Sequence, residues 1–127
     1  MPISYVIDKQ NRLVLTTAKG VVTLGDVLKS RRQLLSDPDF DPSFSQLGDL
    51  SAVTGIDITA DEVRIVAETS MFNLTARRAL VGESPEVYGL ARMFSIVRSL
   101  RGEREIRVFR SRDEALTWLL LEQDQAA

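Results

Sequence analysis

The chain contains neither cysteine nor histidine. Their absence removes disulfide staples, thiol nucleophiles, imidazole general bases and the usual zinc and copper ligands together. Serine, lysine and carboxylates are present, but no spacing among them points to a Ser–Lys or two-carboxylate mechanism. The expectation is therefore a protein that is not an enzyme, with no catalytic residues, no cofactor and no metal. A basic excess is missing too: 16 Lys+Arg against 18 Asp+Glu give a net charge of -2. That balance argues against the broad positive surface of non-specific nucleic-acid binding. The longest apolar run, "LTWLLL" at 116–121, is far too short to span a bilayer, and "MPISYVIDKQNRLVL" lacks the basic-then-apolar pattern of a leader. A soluble cytoplasmic protein is expected. The scattered glycines form neither a Walker-type loop nor a dinucleotide fingerprint.

What remains is a chain of 127 residues with 44% hydrophobic content, the size of one compact domain over 1–127. "SYVID" and "RLVLTTAKGVV" are β-branched and partly alternating, and the polar "KQN" between them suits a tight hairpin. From Leu24 the positions Leu24, Val27, Leu28, Leu34 and Leu35 recur at helical spacing up to Asp37, before Pro38. After the loop "DPDFDPSF" come a short strand in "SQLGDL", a helix over "ADEVRIVAETSMF" with Val63, Val66 and Ala67 inward, and a strand in "RRALVG". A third helix over "SPEVYGLARMFSIVRSL", a strand in "EIRVFR" and a helix over "DEALTWLLLEQ" follow, the last with Ala115, Leu116, Leu119 and Leu120 on one side. The polar tail "EQDQAA" reads as frayed. The order β-β-α-β-α-β-α-β-α predicts an α/β domain: a mixed five-stranded sheet with about four helices, antiparallel at the first hairpin and parallel through right-handed crossovers elsewhere.

Each predicted helix opens on a capping signal: Thr23 with Asp26, Thr59 with Glu62, Ser84 before Pro85, and Ser111 with Glu114. In "DPDFDPSF", Asp37, Asp39 and Asp41 alternate as in the opening of a calcium loop. Pro42 stands where such a loop needs its glycine and Gly48 where it needs its last acidic ligand, so the prolines set turns and Phe40 and Phe44 pin the loop to the core. On the third helix, Val87, Leu90, Ala91, Phe94 and Val97 form one stripe. Tyr88, Met93, Ile96 and Leu100 widen it beyond what one sheet face needs. Burial under a neighbouring helix explains that width; so do a homodimer surface or one wall of an apolar pocket, with Tyr88, Arg92, Met93, Phe94 and Ile96 as its candidates.

Seven of the thirteen arginines (Arg92, Arg98, Arg101, Arg104, Arg107, Arg110 and Arg112) lie in the last third of the chain, solvated or paired with Glu103, Glu105 and Asp113. Arg110, at the carboxyl end of the last strand, could instead join Asp49, Asp57, Ser84 and Ser111 in an anion-binding or ligand-binding rim, the edge at which open α/β sheets take ligands.

"DLSAVTGIDITADEV" resembles the strand, turn and helix start of STAS domains of the anti-sigma-factor antagonist type. With "DPDFDPSF", "YGLARMF" and "IRVFRSRDEALTWL" in order, nearly the whole chain is similar to the SpoIIAA-like family, a bacterial group related to STAS and CRAL-TRIO lipid-binding domains. The resemblance places Thr59 at the phosphate-acceptor position, although Ile58 and Ala60 replace the small residue and the glycine that usually flank it. It implies a non-enzymatic regulatory module that binds an unknown protein partner, or a domain for a small apolar molecule or lipid, with peripheral membrane association. As an N-cap alone, Thr59 is worth about 1 kcal/mol.

Overall fold

The computed structural model describes residues 2–126, with side chains described through residue 120. The chain forms β1 (Ile3–Asp8), β2 (Leu13–Thr23), α1 (Leu24–Leu35), β3 (Ser45–Asp57), α2 (Ala60–Ala67), β4 (Arg78–Val81), α3 (Pro85–Leu100), β5 (Ile106–Phe109) and α4 (Arg112–Ala126). This is the expected order. The five strands lie side by side in chain order, β1 antiparallel to β2 and every later neighbour parallel. Each parallel connection therefore steps one strand in the same direction, and crossovers of constant hand place α1, α2 and α3 on one face. The last helix, α4, covers the other.

Alternation along the strands divides the core accordingly. Leu13, Leu47, Ala79 and Val81 pack against Ala115, Trp118 and Leu119 of α4. On the opposite face, Val14 meets Leu34 of α1 and Phe44, Phe72 and Ala76 of the loops, while Leu80 and Ile106 meet Ala91 of α3. Phe40 and Phe44 do pin their loop: Phe40 stands edge-on to Phe72 at 5.3 Å, and Phe44 is buried in the same cluster.

Four sequence expectations change. The strand expected in "SQLGDL" continues for 13 residues to Asp57, because β2 is long enough to pair with it as far as Thr23↔Asp57. The helix expected to reach Phe72 stops at Ala67, since Phe72 is drawn into the cluster around Val14. Leu28 and Leu35 of α1 face solvent, the inward stripe running instead through Val27, Arg31 and Leu34. Leu120 of α4 is also exposed. Past it, the side chains of the tail "EQDQAA" lie outside the described residues.

Candidate functional site

The pairing of β3 with β4 covers only Gln46 to Asp49, whereas β2 and β3 continue together as a two-stranded ribbon well beyond the end of β4. Past Asp49 the ribbon has a free edge, and α2 and α3 close over it. The closure is not solid: a half-open cavity of about 230 Å³ lies between the ribbon and the helices α1, α2 and α3. Its apolar walls include Val22 and Val53 of the ribbon, Val63 and Val66 of α2, and Leu90 and Phe94 of α3. Most are β-branched.

One end of the cavity is polar. Thr16, Gln46 and Arg78 project from the neighbouring strands β2, β3 and β4, and Ser30 and Arg31 from α1. The same five residues also line a small polar annex of about 60 Å³, completed by Ser70, Met71, Phe72 and Leu34. Arg78 is 5% exposed and its guanidinium lies over the rings of Phe72 and Phe94, at 4.7 and 5.5 Å from their centroids. Its Nε donates to Gln46 Oε1 at 3.1 Å, and its NH1 donates to Ser70 Oγ at 3.2 Å and to both Glu103 oxygens at 3.0 and 3.2 Å. Glu103 is fully buried and also accepts from Arg98 Nε at 2.9 Å, while Arg98 NH1 donates to the Ala67 carbonyl at 3.1 Å. Arg31 NH2 donates to the carbonyls of Val66 and Thr69, at 2.8 and 3.3 Å. Burial first, then the charges of Arg98 and Arg31, push Arg78 down to about 10 against the pull of Glu103. Burial and the Arg98 charge likewise lower Arg31.

The residues singled out from the sequence do not form one site. Asp49 and Asp57 are separated by a stretch of extended β3, on the order of 25 Å at roughly 3.3 Å per residue. Asp49 accepts from the Ser51 amide and hydroxyl and faces Arg112 of α4 at 3.6 Å. Ser84 and Ser111 accept from the amides of Val87 and Glu114, at 3.2 and 3.3 Å, and cap α3 and α4. Arg110 lies over the Tyr88 ring at 4.0 Å, which brings those two candidates together. Thr59 and Glu62 make a reciprocal capping box, and both Thr59 and Asp57 are exposed. Of the α3 group, Phe94 lines the cavity, which is walled by Val87, Leu90 and Ala91 rather than by Tyr88 or Met93. Arg92 is exposed; Ile96 and Leu100, at 52% and 80% exposure, form an apolar step on the outer side of α3.

Sequence reasoning missed Arg31, Gln46 and Arg78; it placed Arg98 among charges solvated or paired with Glu103, Glu105 and Asp113, and Arg98 does pair with Glu103, although buried. A signal existed. Arg31 and Arg98 sit on the inward stripes Val27–Arg31–Leu34 and Val87–Ala91–Phe94–Arg98, and Arg78 opens a strand whose four residues are all buried. Charge on an inward position needs a buried partner or a ligand.

No protein-family model matches the chain, and no curated protein does. Among solved structures it is similar to an uncharacterized protein of the DUF3478 family from Shewanella loihica PV-4, described as having a SpoIIAA-like fold. The two share 20% sequence identity with a TM-score of 0.60, over 92% of this chain and 93% of that one. The chain has a SpoIIAA-like fold. In this SpoIIAA-like domain the mixed five-stranded sheet and four helices agree with the resemblance carried by the sequence.

Proposed function

We propose that the protein is a non-enzymatic binding domain for a small apolar molecule, held between the β2–β3 ribbon and helices α1 to α3. The observation that carries this reading is the cavity of about 230 Å³. Because it is half-open, the empty cavity leaves its apolar walls against solvent, and an apolar occupant that covers them gains about 25 cal/mol per Å² of surface removed from water.

The alternative, a regulatory module switched at Thr59, has less behind it. The Thr59 hydroxyl is accounted for by its cap. Native mass spectrometry on the full chain purified from its own host tests the ligand reading. A co-purifying small molecule is expected on the wild type and not on Val53→Phe, whose ring fills the cavity from the ribbon side. A wild type that carries nothing, or a folded Val53→Phe that keeps the same adduct, overturns it.

A further inference from the structure

The polar end of the cavity has an unbalanced charge. Two guanidiniums, those of Arg78 and Arg98, share one buried carboxylate, Glu103, and a third, that of Arg31, lines the annex beside Arg78. Arg31 is bonded to two backbone carbonyls through a single nitrogen, NH2, and no described carboxylate pairs with it. Neutral carbonyls compensate a half-buried guanidinium less well than a carboxylate does. Three hydroxyls line the annex, those of Thr16, Ser30 and Ser70, and two of them already accept bonds. Thr16 Oγ1 accepts from Gln46 Nε2 at 3.1 Å, and Ser70 Oγ accepts from Phe72 N and Arg78 NH1, at 3.1 and 3.2 Å. Their protons remain to be donated. The annex is thus walled by guanidinium N–H donors and by three hydroxyls able to donate, which is the complement of a small anion.

Its dimensions narrow the class. The annex, at about 60 Å³, suits a small head group, and the cavity beside it, at about 230 Å³, is several times larger. Arg31 and Arg78 line both spaces, so one molecule can place its head in the annex and its chain in the cavity.

We infer that the ligand is an amphiphilic monocarboxylate, its carboxylate received by Arg31 and the Thr16 and Ser70 hydroxyls and its apolar chain lying along Val53, Val63 and Leu90. This inference rests on the cavity being a ligand site, and it adds the charge of the occupant. Arg78 and Arg98 already share Glu103; Arg31 is the guanidinium left to meet the incoming anion.

Calorimetric titration of the full chain with octanoate, 1-octanol and acetate separates the two readings. Octanoate should bind at least tenfold more tightly than 1-octanol, which has a similar chain and no charge, and acetate should not bind measurably. Arg31→Gln should lower octanoate affinity about tenfold and leave 1-octanol unchanged, and Arg31→Lys should restore part of the loss. Equal binding of octanoate and 1-octanol by the wild type overturns the carboxylate assignment and leaves the apolar cavity standing. This comparison needs no variant to fold. If neither binds, or if Val53→Phe binds octanoate as the wild type does, the cavity reading fails and the assignment with it.

Discussion

The Thr59 hydroxyl accepts from the Glu62 amide at 3.1 Å, and the Glu62 carboxylate accepts from the Thr59 amide at 3.0 Å. Thr59→Ala should therefore cost about 1 kcal/mol in urea unfolding, as an ordinary N-cap does; a loss near zero would mean that the box is not formed in solution. Glu103 is of a different order. Its carboxylate is the negative member of a buried cluster with Arg78 and Arg98, and Glu103→Gln preserves the shape while removing that charge. The expected loss is on the order of 3–5 kcal/mol, because two buried guanidiniums are left uncompensated. Tyr5 supplies a pH test. Partial burial, then its 2.8 Å bond to Asp37, raises the phenol above 10.0. The folded state thus favours the protonated phenol, so this contribution is fully present below the unfolded value and is lost as pH rises through the folded one. Urea midpoints at about pH 9 and about pH 11 should converge in Tyr5→Phe relative to the wild type.

Two glycines on neighbouring elements show how closely the layers approach. A Cβ on Gly82, at the turn from β4 into α3, would stand 2.8 Å from Val87 Cγ1 and 3.4 Å from the Tyr88 amide nitrogen. A Cβ on Gly48 of β3 would meet Leu80 Cδ2, also at 2.8 Å, but Leu80 borders the cavity and can swing into it. Gly82→Ala should lower thermal stability by about 1–3 kcal/mol, and Gly48→Ala by less; the reverse order in paired melts would contradict the placement of the cavity. Helix starts were the most legible elements, because a cap is a local arrangement of a hydroxyl and an amide three residues apart. The ends of β3 and α2 were not legible. What extends β3 is the length of β2, and what shortens α2 is a cluster around Val14, whose members lie far apart in sequence.

In the whole molecule, the apolar arc of α3 led from the sequence toward a pocket, and of the five candidates named for it Phe94 lines the cavity beside Val87, Leu90 and Ala91 of the main stripe. Spacing shows that an arc is wide; it does not show which part faces a void, since Val87, Leu90 and Phe94 would read the same in a solid core. Element order, strand direction and capping follow from the chain itself, because each depends on neighbours a few residues apart and on the alternation of apolar side chains. The hollow between ribbon and helices depends on how far β3 outruns β4, and the convergence of Arg31, Gln46, Arg78 and Glu103 depends on four separate elements and loops meeting at one depth. Volume and charge balance are sums over residues distant in the chain, so they came into being only when the layers packed.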